Sequence, residues 1–146
     1  MTFLVLVVNC VYNINVYNSE ALVFVFNVYR KGSVMDELTN ETKFVLQTLY
    51  KEYLDRSNNG ISKIQAKEFK YAQFVYDELF SEMLYDNFYN SIMELDTQGF
   101  LDCTYGNDTA TQIFLTNKSI VEMENRFAKD FNKILDSIIK LKSLIF

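Results

Sequence analysis

Proline is absent from this chain and glycine occurs only four times, so the backbone has few places at which regular structure is obliged to stop. Each break therefore carries unusual weight. Ser57-Asn58-Asn59-Gly60 ends one helical pattern, and Gly99 ends another in the position where a left-handed residue is needed. Gly106-Asn107-Asp108 has the composition of a tight hairpin turn. The fourth glycine, Gly32, follows Lys31 just ahead of Met35.

Between these breaks the apolar spacing is mostly helical. A first helix is predicted over about 40–56, capped by Asn40, with Val45, Leu46, Leu49, Tyr50, Tyr53 and Leu54 forming one stripe. Ser62-Lys63-Ile64-Gln65 is an S-x-x-Q capping box that starts a second helix, whose buried face continues through Ala66 and Phe69. The stretch 71–83 is apolar and aromatic and reads as helical, without a defined register. A further helix over about 84–97 places Leu84, Phe88, Ile92 and Leu95 on one side. Two strands, 100–105 and 109–115, form a hairpin, and a single long helix runs from Thr116 to about residue 144. Along that helix Ile120, Phe127, Ile134 and Leu141 fall seven apart, interleaved with Phe131, Ile138 and Ile145. This seam either packs on its own domain or pairs with a second copy. Its length favours a homodimer.

The first 34 residues differ from the rest. From Thr2 to Val34 there are three charged side chains, Glu20, Arg30 and Lys31, among Val, Phe, Leu, Tyr and Asn. Neither apolar run there approaches the roughly 20 residues of a membrane span, and the pattern of a secretory signal is missing. One reading is a β-hairpin of strands at about 3–16 and 21–29. The other is an upstream region translated ahead of a true start at Met35, because Lys31-Gly32 can be encoded by a ribosome-binding sequence. The expected division is thus 1–34 as an apolar segment, 35–116 as the main domain and 117–146 as a dimerising helix. A cytoplasmic protein without membrane insertion follows.

Histidine and tryptophan are absent, which removes the commonest general acid/base and the commonest metal ligand. Cys10 and Cys103 cannot build a disulfide framework or a thiolate zinc site. No Gly-rich phosphate loop or nucleophile elbow is present, so no catalytic residue, metal or cofactor is expected.

The order of helix, helix, helix, hairpin and helix is that of a winged-helix domain, within a mainly α (α+β) chain. Met93-Glu94-Leu95-Asp96-Thr97-Gln98-Gly99-Phe100-Leu101 resembles the "L-x-x-x-G-[FY]-[IL]" helix end of winged-helix regulators. Phe114-Leu115-Thr116-Asn117-Lys118-Ser119 resembles their "L-T-x-K-G" junction, with Ser119 in place of glycine. Over about 39–125 the chain is similar to small winged-helix proteins of firmicutes and their prophages, such as the YjcQ-like group. That resemblance implies a transcriptional or mobile-element regulator that binds DNA, with helix 84–97 as the reading helix. The Asn-, Tyr-, Ile- and Lys-rich composition agrees with a low-G+C source.

Charge opposes the usual pose. Nineteen acidic and fourteen basic residues leave the chain at −5, and no basic residue lies between Lys70 and Lys118. Asp77, Glu78, Glu82, Asp86, Glu94, Asp96, Asp102 and Asp108 occupy that stretch, where phosphate would be repelled. Two readings follow. DNA is bound by a non-standard basic face of Lys43, Lys51, Arg56, Lys63, Lys67 and Lys70. Alternatively the domain is a protein-interaction module, an adaptor or antagonist, that uses Glu82, Tyr85, Asp86, Tyr89, Asn90 and the wing. One continuous patch of the six bases would favour DNA, and scattered bases would favour protein. A chain beginning at Met35 is expected to unfold in urea with the midpoint and slope of the full chain; a lower midpoint would show that the N-terminal segment belongs to the core.

Overall fold

The computed structural model describes residues 34–146. The chain divides into two compact units, Met1–Glu37 and Leu38–Phe146. The C-terminal helices therefore belong to the same unit as the rest, not to a separate segment from 117 onward. The expected N-terminal strands lie outside the described residues, apart from a short 3-10 turn at Val34–Glu37 in the first unit.

The second unit is mainly helical with a small antiparallel sheet. Its elements are α1 (Asn40–Asn58), α2 (Lys63–Ala66), β1 (Glu68–Phe69), α3 (Ala72–Val75), α4 (Tyr85–Thr97), β2 (Leu101–Gly106), β3 (Thr109–Leu115), α5 (Asn117–Phe127) and α6 (Phe131–Ile145). Strand order is β1-β3-β2. Helix α1 is the axis of the core. It packs against α4, α5 and α6, and Val45, Leu46, Leu49 and Tyr50 are fully buried on it. Phe88, Ile92 and Leu95 of α4, Phe69, Leu101 and Ile113 of the sheet, and Met123 and Ile134 complete that interior.

The breaks act as their chemistry requires. Gly60 and Gly99 have φ of +87° and +76°. In both, the amide after glycine reaches back to the last turn: Ile61 N–H to Arg56 O at 3.1 Å, and Phe100 N–H to Leu95 O at 2.8 Å. These are Schellman ends, which use up carbonyls that the helix itself cannot satisfy. Asn107 and Asp108, with φ of 50° and 60°, form the two-residue hairpin turn between paired Gly106 and Thr109. Ser62 caps α2 through the Gln65 N–H at 3.3 Å.

Four local expectations need correction. The cap of α1 is Thr39, whose hydroxyl accepts from the Thr42 N–H at 3.2 Å, so Asn40 is already helical. The second helix stops at Ala66, and Glu68–Phe69 instead pairs with Phe114 and Ile113 of β3. The aromatic stretch 71–83 is helical over Ala72–Phe80, as expected, but as one α-turn followed by a π-turn at Tyr76–Phe80, closed by Tyr76 O–H donating to Met83 O at 2.6 Å. There, Phe80 stacks on Phe88 with ring centroids 5.0 Å apart.

The fourth correction concerns the long helix. It is broken at Ala128 and Lys129, both left-handed with φ of 50° and 59°, and Asp130 caps α6 through the Asn132 and Lys133 amides. Each left-handed L-residue costs about 1–2 kcal/mol. Burying Ile134, Ile138 and Leu141 returns about 1.5–3 kcal/mol apiece, so the fold back wins. The seam consequently faces inward within one chain. Ile120, Phe127, Ile134, Ile138 and Leu141 are buried, and Phe131 and Ile145 are half-buried.

The helix-end motif at 93–101 and the junction motif at 114–119 meet at one point. Thr116 caps α5 through the Ser119 N–H at 3.3 Å while its hydroxyl lies 2.8 Å from Gly99 O and 3.1 Å from Phe100 O. The buried Ser119 hydroxyl also donates to Phe100 O. Lys118 donates to Gln98 O and lies 4.5 Å over the Phe100 ring. This junction predicts graded losses. Thr116→Ala, which removes a cap and its second role, should cost about 2 kcal/mol, and Ser119→Ala about 1 kcal/mol. Gly99→Ala should cost about 1–2 kcal/mol from backbone strain alone, since a Cβ there meets nothing closer than 3.9 Å. Urea midpoints at unchanged slope measure all three.

Candidate functional site

The six basic side chains do not come together as one patch. Lys43 and Arg56 stand roughly 20 Å apart along α1 at 1.5 Å per residue. Two of the six are held by carboxylates one turn away: Lys51 with Asp55 at 2.9 Å and Arg56 with Glu52 at 3.0 Å. Arg56 also donates to Glu68 O at 2.8 Å and lies over the Phe69 ring, and Lys51 lies over Phe131. Lys67 donates to Asn117 Oδ1 at 2.6 Å, and Lys70 sits 4.2 Å over the Phe74 ring. Only the corner made by α2 and β1 gathers basic groups closely in sequence, with Lys63 and Lys70 exposed and Lys67 half-buried.

Next to that corner lies a cleft of about 310 Å³, lined by Glu52, Arg56, Phe69, Lys70, Phe74 and Glu78 among others. Two cations face two carboxylates over an aromatic floor. Its charges balance, so it offers polyanionic phosphate little attraction.

Helix α4 and the hairpin, in contrast, form one surface. Tyr89 O–H donates to Asp108 O at the hairpin tip at 3.3 Å. Two turns later Asp96 accepts from the Cys103 N–H at 3.1 Å and from Tyr105 O–H at 2.7 Å. Asp96 thereby occupies an outward amide of edge strand β2. The solvent-facing stripe of α4 is Asp86, Asn90, Met93 and Thr97, one or two turns apart on the same side. Tyr85 and Tyr89 stack beside it with centroids 5.9 Å apart. Leu84, Met93 and Tyr105 are exposed apolar groups on the same element pair. Of the predicted interface residues, Tyr85, Asp86, Tyr89 and Asn90 are therefore neighbours on α4, whereas Glu82 is drawn away into an ion pair with Lys142 of α6.

A feature not foreseen from the sequence adjoins the stripe. Thr39, Glu41 and Thr42 of the α1 start and Asn87, Asn90, Ser91 and Glu94 of α4 enclose a cleft of about 150 Å³ whose lining residues are all polar. The Thr42 hydroxyl donates to Glu94, and Asn87 Nδ2 donates to Glu41 Oε1 at 3.3 Å. Glu41 and Glu94, both half-buried residues, line it. Chemically this is a small acceptor-rich socket suited to an ammonium or guanidinium group. It joins residues about fifty positions apart, and nothing in local spacing announces it.

Among the described residues no three His, Cys, Asp or Glu side chains stand close enough to hold a metal ion. None of the described helices is long and apolar enough to cross a membrane. Neither a protein-family model, nor a curated protein, nor a solved structure matches this chain.

Burial, reinforced by the nearby Asp96 carboxylate, pushes the Cys103 thiol up to about 12. A thiol held neutral is a poor nucleophile, so Cys103 should react with iodoacetamide at pH 8 far more slowly than an exposed cysteine in the unfolded chain, as peptide mapping would measure. Burial likewise raises Tyr50 to about 12, with Glu124 adding to it. Both groups favour the folded state while neutral. Their contribution is complete below their ordinary values of about 9 and 10 and is lost as pH climbs toward 12. Thermal unfolding should therefore fall steeply between pH 9 and 12. Tyr50→Phe should soften the upper part of that fall, and should cost little at neutral pH, because the Tyr50 hydroxyl is buried without a hydrogen-bond partner among the described residues.

Proposed function

We propose that this protein is a non-enzymatic interaction module of winged-helix type, whose α4 and hairpin face captures a basic protein partner. The element order, the hairpin beside α4, and the junction of Gly99-Phe100 with Thr116-Asn117-Lys118-Ser119 support the winged-helix reading. One observation carries the function. The exposed stripe Asp86, Asn90, Met93, flanked by stacked tyrosines and free of any cation of its own, opens onto the acceptor-rich socket of Glu41 and Glu94. Tyrosine and methionine supply apolar contact area of the kind enriched in interface hot spots. A lysine or arginine from the partner fills the socket, where its donors meet carboxylate and amide oxygens. The acidic rim steers such a partner and repels nucleic acid.

DNA binding remains the second reading, favoured by the exposed lysines at the α2–β1 corner. The two separate cleanly. A fluorescent arginine-rich peptide and a short DNA duplex, each titrated at low salt, should give binding of the peptide alone. Glu41→Gln combined with Asp86→Asn should weaken peptide binding about tenfold, and Lys63→Glu with Lys67→Glu should leave it unchanged. Duplex binding that the lysine pair abolishes, with a flattened salt slope, would overturn this proposal in favour of DNA.

A further inference from the structure

The hinge between α5 and α6 is short, strained and discordant with its own sequence. Ala128 and Lys129 both hold left-handed backbone, at φ of 50° and 59°, although neither is glycine or asparagine. Both are among the better helix formers, and alanine is the best of all. The apolar spacing runs through the break without a change of register: Ile120 and Phe127 precede it and Ile134 and Leu141 follow it, each seven residues from the last. A heptad repeat drifts only about 20° around a straight helix, so on straightening these four side chains would share one side. Apart from the Asp130 cap of α6, which a continuous helix gives up, the local preferences favour one helix. What holds the two apart is the burial of α6 against α1.

Contacts of that kind do not require that α6 and α1 belong to the same chain. We propose that α6 is exchanged between two copies of this protein: the hinge straightens, α5 and α6 become one helix, and each α6 takes the place of the other on α1. A continuous helix from Asn117 to Ile145 extends about 43 Å, enough to carry α6 well clear of its own body. The contacts to be re-made in the partner are specific. They are the burial of Ile134, Ile138 and Leu141, the Lys51 ammonium 5.1 Å from the Phe131 ring, the Phe44–Phe146 edge contact and the Lys142–Glu82 ion pair. The exchange is reciprocal and closes on itself, so it yields a two-fold dimer and no larger assembly. It conserves the α6 packing and releases the strain of four left-handed residues per dimer, at the cost of association. Short strained hinges are the recognised setting for such exchange.

The test uses the full chain and three hinge variants, refolded from urea at high protein concentration and sized by light scattering. Lys129→Ile, or Ala128→Ile if the first is insoluble, makes the left-handed turn still costlier. It should raise the dimer association constant at least tenfold. Replacing both Ala128 and Lys129 with Gly removes the strain and should lower it at least tenfold. In the dimer, mixed isotope-labelled and unlabelled chains should give intermolecular nuclear Overhauser contacts between the Phe131 ring and the Lys51 side chain. An isoleucine variant that stays monomeric, a dimer indifferent to the hinge residues, or a dimer lacking those intermolecular contacts would each overturn the proposal.

Discussion

The carbonyl oxygens of Gly99 and Phe100 are the point at which this fold is fastened. Helix α4 ends there, β2 begins there, and the hydroxyls of Thr116 and Ser119 reach across from the start of α5 to the same two oxygens. Lys118 completes the closure on Gln98 O. The end carbonyls of α4 itself are closed locally, by the amides of Gln98, Gly99 and Phe100. The Gly99 and Phe100 carbonyls just beyond the helix find side-chain donors about seventeen residues away, so satisfying them also determines where the hairpin folds back. Once that junction is closed, α4 presents Phe88, Ile92 and Leu95 to α1 and its other side to the hairpin.

That geometry explains why the acidic surface survives folding while the basic one does not. Lys51 and Arg56 lie one turn from Asp55 and Glu52 on α1, and they pair with them. On α4 the first-turn Asp86 has no basic residue within reach along its own helix, because the stretch from 71 to 117 contains none. Glu82 and Asp96 find partners in Lys142 and the hairpin and so become structural, while Glu94 accepts from Thr42 and still lines the cleft beside Asn90. Asp86 is left facing water beside Tyr85, Tyr89 and Met93. A run of carboxylates is sorted by the fold into some that hold it together and some that remain available.

Balance between local and distant preferences is closest at the Ala128-Lys129 hinge. Helix propensity and heptad spacing argue for continuity, and the apolar face of α6 argues for return to α1. Burial of that face outweighs both and sets the backbone there, at the expense of two unfavourable residues.

Most of the architecture was legible along the chain, for a physical reason common to all the legible parts. The two Schellman ends, the Ser62 cap, the Asn107-Asp108 turn and the buried stripe of α1 are consequences of residues within about five positions of one another. The acidic character of α4 was legible too, as a run without a base. Strand β1 was not, since two residues gain strand geometry only by meeting Phe114 and Ile113. The π-turn at Tyr76–Phe80, where Phe80 also packs edge-on against Phe44, the socket between Glu41 and Glu94, the pairing of Glu82 with Lys142 and the left-handed hinge were hidden for the same cause. Each is a compromise with a partner tens of residues away, and a linear pattern records preferences but not the contacts that outweigh them.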